Sequence, residues 1–90
     1  MKFTREDYNR RIVDLEGKIP ENEPVFLLRA QDKFSSITLK KYCDFLEEEA
    51  RISNNQALMA MAQELREHAH AMLMWKYSHV PDKPIDNDNQ

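Results

Sequence analysis

Arg29, Gln31 and Asp32 follow a short apolar run, Val25 to Leu28, and place a guanidinium fork, an amide and a carboxylate within four residues. Convergent at the end of an extended segment, they would hold a small anionic ligand, the guanidinium taking a phosphate or carboxylate. The plainer role is that Asp32 turns the chain into the next helix while Arg29 pairs with one of the many acids. A second cluster is Glu64, Glu67, His68 and His70, in which Glu67-x-x-His70 has the i,i+3 spacing used by di-metal carboxylate bundles. Such a centre needs inward carboxylates from a facing helix, and Glu47, Glu48 and Glu49 would have to leave a charged face to supply them. The cluster is therefore expected to be ordinary surface, with no bound metal or cofactor. Cys43 has no neighbouring base and is expected as a buried free thiol. No pairing of nucleophile and base is present, so the chain is expected not to be an enzyme. One glycine and one cysteine exclude glycine-rich phosphate loops and zinc-type spacings.

The elements that must carry these groups are mainly helical. Thr4 with Asp7 forms a cap pattern, and Tyr8, Ile12, Leu15 and Ile19 form one stripe, predicting a helix over about residues 4 to 17 closed by Gly17. Pro20 and Pro24 bracket a loop. Val25 to Leu28 reads as a short strand or extended segment, a turn of helix being the alternative; as a strand it puts Val25, Leu27, Arg29 and Gln31 on one side and Phe26, Leu28, Ala30 and Asp32 on the other. No second strand is evident, so this segment is expected to pair with another copy of itself or not to be a strand. Ser35 or Ser36 caps a second helix to about Ile52, with Leu39, Tyr42, Cys43, Leu46 and Ala50 along one stripe, Phe45 beside it, and Lys40, Lys41, Asp44, Glu47, Glu48 and Arg51 on a solvated face. Ser53-Asn54-Asn55-Gln56 fits a capping box, so a third helix follows at once and folds back antiparallel. That helix runs to about Tyr77, with Leu58, Ala62, Leu65, Ala69, Met72 and Lys76 on one stripe. It outlasts its partner, so Met72, Met74, Trp75 and Tyr77 are expected at an interface. Val80 to Pro84 stops the helix, and 85–90 is expected as a mobile acidic tail after a single small domain, 1–84.

The whole composition agrees with this mostly α reading: 41% hydrophobic and 32% charged residues, four prolines, and thirteen basic against sixteen acidic side chains. The net charge of −3 disfavours a nucleic acid polymer or an anionic membrane as partner. With no disulfide pair, no secretory leader pattern and no apolar run of membrane length, a soluble cytoplasmic protein is expected. A domain this small has little core, which favours homodimers or higher oligomers.

Two resemblances add to this. The segment Glu67 to Trp75 resembles the Glu-His-Ala-Ala-Met stretch of encapsulated ferritin-like proteins, but Leu65 stands where that family has a ligating glutamate. Glu23 to Phe26, Arg29 to Asp32, Met72 to Trp75 and Val80 to Asp82 together resemble small proteins of tailed phages and prophages over roughly residues 20 to 84. That group carries no assigned activity. The likeness implies a viral accessory protein in the host cytoplasm, expected to bind and block a host protein, possible defence components included. The alternatives are an oligomeric binder that sequesters a small anionic ligand such as a nucleotide, and a ferritin-like metal protein.

Overall fold

Charge and short-range bonding shape the N-terminal part, and apolar periodicity shapes the rest. The computed structural model describes residues 2–79; the expected tail over 85–90 and the helix stop at Val80 to Pro84 lie outside the described residues. The element order is α1 (Glu6–Arg11), α2 (Ser35–Ser53) and α3 (Gln56–His79), with α2 and α3 packed together as a helical hairpin. The mostly helical architecture expected from the sequence is what the chain adopts.

The hairpin seam is built of small residues at heptad spacing. Cys43 and Ala50 on α2, and Ala62 and Ala69 on α3, are almost wholly buried, flanked by half-buried Leu39, Leu46, Leu58 and Leu65. Small side chains at the contact let two helices approach closely, and larger neighbours close the flanks. Across the seam Arg66 Nη2 donates to Asp44 Oδ1 at 2.8 Å and Nε to Glu47 Oε2 at 3.1 Å. The bond from Arg66 holds the Asp44 carboxyl below its ordinary value and raises the guanidinium in turn.

The turn between the helices corrects the expected capping box. Ser53 ends α2 and donates from Oγ to Glu49 O, whereas Asn54 takes the left-handed conformation at φ 53°. Asn54 N–H bonds to Arg51 O and Asn55 N–H to Ala50 O, which is a Schellman ending. The cap of α3 is Asn55, whose Oδ1 accepts from Leu58 N–H at 3.0 Å. The start of α2 also differs from expectation. Phe34 occupies the N-cap, and Ser35 lies inside the first turn, buried, its hydroxyl directed to Asp32 O and Ala30 O.

The first helix is much shorter than the predicted span of 4 to 17. It ends at Arg11, and Ile12 is already extended at φ −104°. Asp14 explains the change: its Oδ2 accepts from Ile19 N–H at 2.6 Å, and its carbonyl accepts from Gly17 N–H, closing a turn in which Gly17 has φ 67°. Gly17 therefore closes this turn and not the helix, and Leu15 is left 92% exposed. The Asp14 carboxyl is held low chiefly by the Ile19 bond. Thr4 makes no cap bond either. Arg5 is the N-cap residue, and Asp7 instead receives two bonds from the Arg5 side chain.

Val25 to Leu28 forms no strand: Val25 alone makes an isolated parallel bridge, to Phe3, with a bond from Val25 N–H to Lys2 O. Pairing within the chain is thus confined to Val25 and the N-terminal residues. Asn9 completes the arrangement. Its Oδ1 accepts from Phe3 N–H at 2.9 Å and its Nδ2 donates to Phe3 O at 3.1 Å, so one amide satisfies the whole backbone of Phe3.

Candidate functional site

These contacts open a cleft of about 310 Å³ between the N-terminal residues, the extended segment and the start of α2. Its body is aromatic and apolar: Phe3, Tyr8, Phe26, Leu28 and Phe34, with Asp32 and Lys33 at one side. The volume falls at the lower end of the range for small-molecule sites, and the mix of many apolar walls with few polar groups is usual for them.

Each wall has a local cause. Phe3 is set by the Asn9 clamp and meets the buried Tyr8 ring edge-on, with centroids 6.2 Å apart. The Arg5 guanidinium lies over Tyr8 at 4.2 Å and donates to its hydroxyl at 3.1 Å, while two further bonds tie it to Asp7. That pairing lowers the Asp7 carboxyl and raises Arg5. Arg5 is therefore largely committed, and its charge is offset within the protein. Lys33 differs, having no ion pair among the described residues, with its Nζ 5.3 Å from the Phe34 ring centre.

The floor of the cleft is the N-terminal end of α2, contributed by Phe34, Ser35 and Thr38. There is no acidic residue in the first turn of α2. The Ser36 and Ile37 N–H groups have no hydrogen-bond partner among the described residues. A helix start of this kind presents partial positive charge to whatever lies before it. A flat apolar or aromatic body would lie among Phe3, Phe26 and Phe34, and an anionic end would face Lys33 and the helix start.

Of the residues expected to form the ligand site, only Asp32 lines the cleft. Its Oδ2 accepts from Arg29 N–H at 2.9 Å and its own N–H bonds to Arg29 O, so Asp32 builds the turn into α2. Arg29 is half-buried and Gln31 exposed, both outside the cleft lining. The period of two along the extended segment had already grouped Phe26, Leu28 and Asp32. The contributions of Phe3, Arg5 and Tyr8 arise from a long-range bridge that carries no sequence signal, and Phe34 enters locally as the N-cap residue of α2.

The residues expected at an interface are divided. Met72 is buried in the seam, whereas Met74, Trp75 and Tyr77 are partly exposed, and Trp75 stacks on His79 at 4.2 Å. At about 100° per residue Met74 and Tyr77, three apart, share a flank of α3, and Trp75 points to another. Glu64, Glu67, His68 and His70 are all exposed. Among the described residues no three His, Cys, Asp or Glu side chains group so as to hold a metal ion. Cys43 is free and buried. No helix among the described residues is long and apolar enough to cross a membrane. Neither a family model, nor a curated protein, nor a solved structure matches the chain.

Proposed function

We propose that this chain is a non-catalytic, homo-oligomeric binder that sequesters a small anionic ligand with a flat apolar body, of the nucleotide class. The observation that carries this reading is the aromatic cleft set against the start of α2, with Lys33 as its uncommitted cation. Aromatic walls would stack the ring, while the ammonium and free backbone N–H groups would meet the charge. The anchor is thereby moved from Arg29 to Lys33, Phe26 and Phe34.

Native mass spectrometry of the protein purified from expressing cells tests it. Wild type should retain a non-protein mass of small-molecule size, and Lys33→Ala and Phe26→Ala should lose it while Arg29→Ala keeps it. A wild-type protein that carries no such mass, and takes up neither AMP nor pyrophosphate when titrated, contradicts the reading.

A second reading follows the resemblance to phage proteins: an accessory protein in the host cytoplasm that covers and blocks a host protein. Its support is the exposed loop beyond α1, where Val13 and Leu15 project beside the Asp14 to Gly17 turn. Leu15→Ser should then weaken capture of the blocked protein without changing small-molecule retention, which separates the two readings.

A further inference from the structure

The outer face of α2 carries a second pattern that the hairpin leaves unused. Ile37, Lys41, Phe45, Glu48 and Ile52 fall within about 80° of arc opposite Cys43, at about 100° per residue. Ile37, Phe45 and Ile52 are 60%, 71% and 71% exposed. A helix with an apolar stripe on both faces has one more partner than a two-helix hairpin supplies.

The charges within that stripe say which partner. Lys41 has no ion pair among the described residues, and Glu48 bonds Arg51 of its own helix through Oε1, leaving Oε2 open. Lys41 and Glu48 lie at equal distance on either side of the helix midpoint at Asp44 and Phe45, and so do Ile37 and Ile52. A two-fold axis through that midpoint brings Lys41 against Glu48 of the second copy, Ile37 against Ile52, and the two Phe45 rings together. Parallel pairing would instead set Lys41 against Lys41 and Glu48 against Glu48, which like-charge repulsion disfavours.

We propose that the outer face of α2 is an isologous interface that pairs antiparallel with α2 of a second copy of this chain. It deepens the oligomeric part of the function proposed above and rests on that part alone. It also differs from the surfaces the sequence pointed to, the extended segment and the tip around Trp75. The self-complementary order of apolar, basic, apolar, acidic, apolar is what an isologous contact requires.

Sedimentation velocity of the full chain at matched concentrations tests it, with circular dichroism as the check on folding. Wild type should sediment as a dimer or a multiple of it. Phe45→Glu should shift the boundary to the 10.7 kDa monomer with helicity unchanged, as expected of a side chain exposed in the isolated chain. Lys41→Glu and Glu48→Lys should each weaken association by roughly tenfold or more, and the two together should restore it. Should Phe45→Glu lose helicity, Phe45→Ser replaces it as the milder change. A wild-type monomer, a Phe45 variant that assembles normally, or a double charge reversal that stays as weak as the singles overturns the proposal. Ligand retention is read separately on the same samples, so failure of the interface and failure of the cleft are distinguishable.

Discussion

The two halves of this molecule are specified by different means. Residues 35–79 form a hairpin whose seam repeats small side chains every seven residues, so many weak contacts agree on one register. Residues 2–34 have a single buried side chain among the larger apolar ones, Tyr8, and are held by individual bonds: Asn9 to Phe3, Asp14 to Ile19, Asp32 to Arg29. The α1 backbone stays clear of both long helices, and its Tyr8 lines the cleft together with Ser35 and Thr38 of α2. The cleft lies where the two halves meet. Ser35 and Thr38 of its floor belong to the periodic half, whereas Phe34 and the walls belong to the bonded half.

This contrast is broken most severely at the seam. Ala62→Leu inserts three carbons where the helices approach closely and should cost about 1–3 kcal/mol, lowering the urea midpoint of the whole hairpin. The matching change in the other half is smaller and local. Asn9→Ala removes both bonds to Phe3 and should cost about 1–2 kcal/mol, seen as faster amide exchange over 2–30 with α2 and α3 protected as before. Equal loss of protection in both halves would show them to be one cooperative unit.

The cross-helix bridge gives a pH signature confined to the hairpin. Asp44 titrates below its unfolded value because Arg66 donates to it. Its contribution is thus complete above the unfolded carboxylate range and is lost as pH falls through the lowered value. Arg66→Met should be less stable than wild type at neutral pH, with the gap closing as the pH falls through the lowered Asp44 range. A gap independent of pH would remove Asp44 as the cause. Smallest of all is Asn54→Gly at the left-handed turn residue, which should raise stability by about 0.5 kcal/mol in a thermal melt.

The hairpin was legible because a period of seven announces itself: Cys43 with Ala50 and Ala62 with Ala69 stood on the stripes expected to face inward. The ends of the elements were less legible. Thr4, Ser35 and Ser53 each have cap chemistry, yet Arg5, Phe34 and Asn55 occupy those positions; for Ser35 and Ser53 neighbouring carbonyls take the hydroxyls. The long first helix failed for a related reason. Asp14 finds Ile19 N–H within reach and closes a turn that outcompetes a helix of modest propensity. The cleft was only half visible, since Phe26 and Asp32 share a side by alternation, but Phe3 and Tyr8 reach them only through the bridge from Phe3 to Val25.

The central claim is that a ligand sits between the aromatic walls and the start of α2. Amide exchange of the protein carrying its retained small molecule, against the same protein stripped by denaturation and refolded, addresses it directly. Protection gained over 2–8 and 25–38, with the remainder of α2 and all of α3 unchanged, is the result expected. Protection that appears only in the hairpin, or nowhere, would contradict a ligand in this cleft.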